Sequence, residues 1–325
     1  MLVNETVFFE KQTRMSYISF DQSKGWHDYQ LALKKEKVLY FIDQEDETMI
    51  CAWGMIRKLS FLGSILQIKG EAKKKNITRI QIQKFYNDIA EYSRGKYFFV
   101  WVSSSDLYSV DYEIGIRQAG YVRPLVQSVC PLSILVDLDI DMERTKNWRK
   151  KVRQGIKNEL VFKYIEKPTK NDIEIVCEMF RELSQTKKLG YELSNDALSC
   201  LLLDTRMKLF FVYTKDSIPI CARIVYVQGD FSYDTIAANF NLSREIHGTT
   251  YFMIESILSY LKKQGVKRFD FGRIGPGKRS SNSVYEFKAY VGAPEVHYNG
   301  EWVLANSKFI EMLFFSMLNL KLQRF

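Results

Sequence analysis

The chain has 325 residues, of which 46% are hydrophobic and 14% aromatic, so it carries enough apolar material for a buried core and is not a disordered sequence. Its five cysteines never form a CxxC pair and its three histidines show no HxxH or HExxH spacing, which argues against a disulfide scaffold and against a metal site. The net charge of +9 fits either a solvated basic surface or attraction to polyanions such as tRNA, sugar nucleotides or a membrane leaflet.

The amino terminus lacks the basic region and apolar run of a signal peptide. No uninterrupted stretch reaches the ~18 apolar residues that a membrane-spanning helix needs. We therefore expect a cytoplasmic protein, with peripheral contact to the inner membrane surface as an open alternative.

The first half of the chain predicts a mixed α and β unit. Short apolar runs alternate with turn residues, and one segment repeats its apolar side chains at helical spacing. The predicted elements are a hairpin of Val38–Ile42 with Met49–Ile56, a strand at Ile65–Ile68, a helix at Thr78–Arg94 and a strand at Tyr97–Val102.

An abrupt change from acidic to basic residues follows, and it predicts a domain boundary between residues 142 and 143. The second half, 143–305, repeats the order of elements without a sequence repeat. It contains predicted helices at Asp172–Leu189 and Asn195–Leu203, a hairpin of Lys208–Tyr213 with Ile218–Val227, a strand at Phe231–Ala237 and a helix at Thr249–Lys263. The predicted fold class is α+β with two mixed-sheet units. A terminal helix within 306–325 is expected to pack on the first unit, 1–142; an interfacial membrane anchor is the alternative.

One stretch, Val266–Trp302, carries the strongest functional pattern. A strand ends in a glycine-broken, basic loop that contains Arg273 and Lys278, and an ordered segment with Lys288 between aromatic residues follows. A lysine next to such a loop can reach a site where negative charge develops. On spacing alone, an ordinary turn with a surface lysine is the favoured explanation of the pattern.

Asp270-Phe271-Gly272, then Tyr285-x-Phe287-Lys288-x3-Gly292 and an aromatic strand resemble the C-terminal signature of the FemABX peptidyltransferases. The resemblance implies two GNAT-like domains side by side with a cleft, here without the coiled-coil arm of some members. It implies transfer of an aminoacyl group from aminoacyl-tRNA to an amine of a peptidoglycan-like, UDP- or lipid-linked precursor, with no cofactor.

The resemblance also assigns expected roles within this stretch. Lys288 would stabilise the oxyanion or the leaving ribose oxygen. Apart from the resemblance, Asp234 and Asp270 lie at predicted strand positions, where a carboxylate could accept a proton from the attacking amine or could equally cap the end of the strand. Substrate-binding positions are expected from a Gly-Trp match and from the channel and phosphate contacts of the family: Trp26, Tyr29, Tyr251, Arg273, Lys278, Tyr285 and Phe287.

Two further segments are candidates for anion binding. Gly248, Thr249 and Thr250 open a predicted helix where acyl-CoA-dependent GNAT enzymes hold pyrophosphate, although the turn is mis-spaced and contains Glu245. Lys150, Arg153 and Lys157 share one face of a predicted helix, which is either a solvated linker or a polyanion contact. No zinc-finger or helix-turn-helix pattern points to DNA.

Two alternatives to the aminoacyltransferase stay open. One is an acyl-CoA-dependent N-acyltransferase acting on an amino sugar of a surface polysaccharide. The other is a catalytically silent protein that binds an anionic precursor as an assembly factor.

Overall fold

The computed structural model describes residues 1–34, 36–58, 63–124, 127–140, 143–276, 282–307, 309, 310 and 312. The chain divides into two compact units that are not contiguous in sequence. The first unit comprises Met1–Ser23, Lys35–Leu132 and Val296–Phe325, and the second comprises Lys24–Lys34 and Ser133–Glu295. The boundary expected between residues 142 and 143 stays a prediction.

Strands and helices are interspersed along the described residues. The strands are β1 Leu2–Val3, β2 Tyr17–Ile18, β3 Val38–Ile42, β4 Ile50–Lys58, β5 Ser64–Lys69, β6 Ala72–Lys73, β7 Phe99–Leu107, β8 Leu132–Asp137, β9 Val161–Ile165, β10 Met207–Tyr213, β11 Pro219–Gln228, β12 Phe231–Asn239, β13 Arg268–Asp270 and β14 Glu295–Ala305. The helices are α1 Glu5–Gln12, α2 Lys24–Leu33, α3 Arg79–Ser93, α4 Val110–Gln118, α5 Lys146–Lys157, α6 Lys170–Lys187, α7 Asn195–Leu202, α8 Leu242–Glu245, α9 Thr249–Lys263 and α10 Asn282–Ala289.

The first unit is built on a mixed sheet in the order β1-β3-β4-β5-β7-β14. Its neighbours are antiparallel except for the pair β5 and β7, which α3 connects. Thr78 and Gln81 form a capping box at the start of α3, and the apolar residues of this helix face the core, which includes Ile82, Phe85 and Ile89. The hairpin and the helix predicted for this half are confirmed.

A buried acid lies where the parallel pair of the first unit ends. Glu71 is fully buried, and one of its carboxylate oxygens accepts hydrogen bonds from the hydroxyls of Tyr86 and Tyr112, the latter at 2.5 Å. Ser104 Oγ donates to the other oxygen at 3.2 Å. Burial raises the pKa of Glu71, with the nearby Asp106 acting in the same direction. Both oxygens of this buried acid are therefore occupied by protein donors.

The second unit contains the sheet order β8-β13-β12-β11-β10-β9, again with one parallel pair, β12 and β13, which α9 connects. The predicted α+β class is confirmed, and the described residues contain no coiled-coil insertion. Among the described residues, no helix has the length and apolar character needed to cross a bilayer. The predicted terminal helix, Phe309–Leu320, lies mostly outside the described residues, and its packing stays a prediction.

Candidate functional site

The turn after β13 is fixed from inside the second unit. Gly272 has a φ of +71°, a backbone conformation that a residue with a side chain rarely adopts. Its N–H donates to Asp270 Oδ1 at 2.8 Å, and Ser133 Oγ lies 2.8 Å from its carbonyl oxygen and also contacts Asp270. Asp270 is fully buried, so its carboxylate serves to hold this turn.

Lys288 lies on α10 and points its ammonium group at the same turn. Its Nζ donates to the carbonyl oxygens of Phe271 at 2.7 Å, Arg273 at 3.0 Å and Gly272 at 3.4 Å. The expectation of an exposed lysine is wrong, because the side chain is half-buried against the turn. Burial lowers the pKa of Lys288, and the carboxylate of Asp234 partly opposes this shift.

A second pair of charges is buried in the neighbouring strands. Arg223 on β11 and Asp234 on β12 form an ion pair with Nη1 and Oδ2 2.5 Å apart, and their side chains are only 10% and 5% exposed. Among the described residues, Arg223 Nε and Asp234 Oδ1 are buried without a hydrogen-bond partner. Burial raises the pKa of Asp234, whereas the charges of Arg223 and Lys288 oppose that rise. The pair and Lys288 thus form one electrostatic group.

The strand that carries Asp234 is irregular at this point. The register of β11 and β12 shifts after Ile224, which pairs with Ile236, because Val225 already pairs with Asp234 and leaves Thr235 as an extra residue. Such bulges re-aim side chains and are common beside active sites. A Cβ atom at position 272 would lie 3.2 Å from the Asp234 carbonyl oxygen, so the glycine permits this close approach.

Aromatic side chains pack behind Lys288. The ring of Phe287 stacks on Trp148 of α5 at 5.9 Å and meets Tyr251 of α9 edge-on at 5.0 Å and Phe271 at 6.4 Å. Burial raises the pKa of Tyr251. Two of the predicted substrate-binding residues, Tyr251 and Phe287, therefore meet in one cluster, together with Trp148, which the sequence analysis did not select.

The remaining residues predicted in this loop are placed differently. Tyr285 donates to Glu295 Oε1 at 2.9 Å, which raises its pKa. Arg273 is half-buried, and its carbonyl receives one of the lysine N–H groups. Lys278 lies outside the described residues.

Helix α5 closes over the start of α9. Gly248 has a φ of +92°, and a Cβ there would overlap the carbonyl oxygen of Lys151 and lie 2.7 Å from Gly155 N. Thr249 is buried and donates its hydroxyl to the Ile246 carbonyl at 2.7 Å, while Thr250 is half-buried. The three residues of the predicted anion site are thus adjacent but lie beneath a packed helix.

The basic residues of α5 lie on the helix face opposite to the buried one. Lys150, Arg153 and Lys157 are exposed, whereas Trp148 and Gly155 on the opposite face are buried. Lys157 also lines a cleft of about 670 Å³ beside Glu245–His247. The predicted polyanion contact is therefore an accessible face.

Trp26 and Tyr29 lie on α2, which belongs to the second unit. Their rings stack at 4.9 Å with an interplanar angle of 11°. The preceding Gly25 donates its N–H to Asp204 Oδ2 at 3.0 Å, beyond the end of α7. Burial, helped by Tyr191 and Cys177, raises the pKa of Tyr29 to about 12. Trp26 and Tyr29 thus form a stacked pair on α2.

No family profile and no curated protein sequence matches the chain. Solved structures do match. FemX is 12% identical with a TM-score of 0.73, covering 97% of this chain and 99% of FemX. A domain assigned to a lysylphosphatidylglycerol synthetase from Agrobacterium fabrum is 12% identical with a TM-score of 0.60, covering 95% and 96%. A tandem GNAT protein from the clavulanic acid biosynthesis pathway is 8% identical with a TM-score of 0.52, covering 94% and 98%. The resemblance to FemABX proteins is thus confirmed at the level of the fold.

Proposed function

We propose that this chain is an acyltransferase of the FemABX type, which transfers an aminoacyl group from aminoacyl-tRNA to an amine of a cell-envelope precursor. One observation carries the proposal. A half-buried lysine cation donates hydrogen bonds to a glycine turn and lies beside an ion pair in which one donor and one acceptor have no partner among the described residues. The fold shared with FemX along nearly the whole chain supports it.

In the proposed reaction the acceptor amine attacks the ester carbonyl carbon of the donor. A C–N bond forms, the C–O ester bond breaks, and a proton from the amine passes to the leaving ribose oxygen. Lys288 would face the negative charge that develops on the carbonyl oxygen. Its contact to Gly272 O, at 3.4 Å, is its longest, so this N–H is the one most easily redirected to substrate.

The packing of α5 on α9 favours aminoacyl-tRNA over acyl-CoA as donor. GNAT enzymes that use acyl-CoA hold its pyrophosphate on free backbone N–H groups at the corresponding helix start. Here that start is covered by the backbone of α5 around Lys151 and Gly155. The similarity in fold to a tandem GNAT protein keeps acyl-CoA as the second candidate donor, acting on an amino sugar.

The exposed basic face of α5 would contact phosphate groups of the tRNA donor. Lys150, Arg153 and Lys157 carry no sequence-reading pattern, so the contact would be to the backbone and would weaken as salt increases. The acceptor would be a UDP- or lipid-linked precursor, reached in the cytoplasm or at the inner membrane surface.

A transfer screen tests the proposal. The purified chain is incubated with each charged tRNA or with acyl-CoAs, together with UDP-linked and lipid-linked amine acceptors, and products are identified by mass spectrometry. We expect an aminoacylated acceptor from a charged tRNA, formed ~100-fold or more slowly by Lys288→Ala. Products from acyl-CoA alone would establish the second candidate, and no product from any donor would favour a silent assembly factor.

A further inference from the structure

Arg223 and Asp234 each have one polar atom that pairs with nothing in the part of the chain that the structure describes. The Nε–H of Arg223 and the Oδ1 of Asp234 are buried and find no partner among the described residues. Buried polar groups are almost always hydrogen-bonded, and the exceptions call for an explanation such as a ligand. Both unused atoms belong to one ion pair, whose Nη1 and Oδ2 are 2.5 Å apart.

The pair also lies beside the Gly272 turn, whose carbonyl oxygens accept hydrogen bonds from Lys288. Asp234 precedes the bulged Thr235, and its carbonyl oxygen is next to Gly272, whose own carbonyl contacts the lysine. The charges of Lys288 and Asp234 each shift the pKa of the other. A substrate whose carbonyl oxygen faces Lys288 would therefore present its nearest substituents to this pair.

The unused atoms define the chemistry of that substituent. A carboxylate oxygen takes an N–H donor, best a cationic one, and a guanidinium N–H takes a carbonyl or an anion. An aminoacyl ester offers both, since its α-ammonium nitrogen is two bonds from the carbonyl carbon. A plain acyl group offers only the carbonyl and would leave Asp234 Oδ1 without a partner.

We propose that the pair of Arg223 and Asp234 is a subsite that selects donors with a free α-amino group. Asp234 Oδ1 accepts an N–H from the α-ammonium group of the aminoacyl ester, and Arg223 Nε–H donates to an oxygen of the same ester. This inference rests on the proposed function and adds the reason for choosing aminoacyl over acyl donors. The α-ammonium group is held and is not consumed by the transfer.

A binding measurement tests the subsite without turnover. The probes are hydrolysis-resistant 3′-amide analogues of aminoacyl-adenosine bearing glycine, alanine, serine or lysine, each with a free or an N-acetylated α-amino group. We expect at least one free-amine probe to bind the wild-type chain ~10- to 100-fold more tightly than its acetylated partner, the range for one charge-assisted hydrogen bond. Asp234→Asn should abolish the difference.

Two further variants separate selection from folding. Asp230→Asn changes an exposed carboxylate immediately before the same strand and should keep the full preference. The double variant Arg223→Met with Asp234→Asn removes both buried charges, so it avoids an unpaired guanidinium and should fold, yet it should not discriminate.

The outcomes distinguish the subsite from the function. Equal binding of the two probes, no binding of any probe, or an unchanged preference in Asp234→Asn would overturn the subsite. If the wild-type chain nevertheless transfers aminoacyl groups from tRNA, the proposed function survives this result. If only acyl-CoA supports transfer, both fail.

Discussion

Glu71 in the first unit and Asp234 in the second are both buried next to a parallel strand pair, but their carboxylate oxygens differ in how they are paired. In the first unit, both oxygens of Glu71 accept hydrogen bonds from hydroxyl groups. In the second unit, one oxygen of Asp234 is paired with Arg223 and the other has no partner among the described residues. A satisfied buried network makes the core rigid, whereas an unsatisfied one costs stability and persists where it has a use. We therefore assign a structural role to Glu71 and a functional role to Asp234.

The largest expected effect is on Lys288. Lys288→Ala should lower turnover by ~100-fold or more, because a positioned donor facing a developing oxyanion is lost. It should also reduce the free energy of unfolding by about 1–2 kcal/mol, since its hydrogen bonds to the 271–273 carbonyls are lost. Lys288→Arg should restore only part of the rate. Steady-state transfer assays and urea unfolding would measure both.

Lys267→Ala is the matched control, because Lys267 is 57% exposed and pairs only weakly with Asp139. It should change neither rate nor stability measurably. If Lys288→Ala is stably folded and turns over normally, Lys288 is not catalytic, and the resemblance to FemABX proteins extends to the fold only.

The second effect concerns the closure of α5 over α9. Gly248→Ala should destabilise the protein by about 2–4 kcal/mol, because a positive φ and a clash with the α5 backbone act together. Gly265→Ala is the control, since its φ is +79° and no atom lies near the new Cβ; it should cost only about 1 kcal/mol. Thermal unfolding distinguishes the two, and equal losses would mean that α5 does not cover the helix start.

The third effect tests Glu71, the buried acid whose two oxygens both accept hydrogen bonds. Tyr86→Phe removes one hydroxyl donor from Glu71 and should cost about 1–2 kcal/mol of unfolding free energy with no change in turnover of the folded enzyme. Tyr108→Phe, on a tyrosine that is 47% exposed, should be neutral. If Tyr86→Phe is fully folded but loses turnover, Glu71 or its neighbours in the first unit take part in the reaction.

The smallest effect is a shift in pH dependence. Burial lowers the pKa of Lys288, so the catalytic cation is lost at lower pH than for a free lysine. We expect turnover to fall as pH rises through an apparent pKa below the usual value of about 10.4. The charge of Asp234 raises the pKa of Lys288, so Asp234→Asn should shift this fall in turnover to a still lower pH. If turnover falls at the same pH in Asp234→Asn as in the wild-type chain, the two charges are independent.

Much of the fold can be predicted from the sequence, because the local patterns of apolar and turn residues agree with it. The hairpin of β10 and β11 and the limits of α9 follow from apolar runs, a Lys215-Asp216 turn and helical spacing. The Asp270–Gly272 turn and Lys288 are predicted from spacing and resemblance. The pairing of Arg223 with Asp234 is not, since it depends on strand register, which a single sequence does not encode directly.

A signal for that pair was nevertheless present. Arg223 is the one charged residue in the strand Pro219–Gln228, and Asp234 is the one charged residue in Phe231–Asn239. A single charge in an apolar strand is rarely buried unless it is paired. The role of Trp148 could not be predicted in this way, because tertiary packing alone brings α5 against Phe287.

One paired measurement tests the assignment most directly: the rate of transfer and the free energy of unfolding for Asp234→Asn and Glu71→Gln. We expect Asp234→Asn to lose ~10-fold or more in rate in the molecules that remain folded, and also to lose about 3 kcal/mol or more of stability, because the buried guanidinium of Arg223 loses its partner charge. Glu71→Gln should lose about 1–3 kcal/mol of stability and keep its rate when folded. A Glu71→Gln protein that folds but does not turn over, beside an active Asp234→Asn protein, would contradict the account.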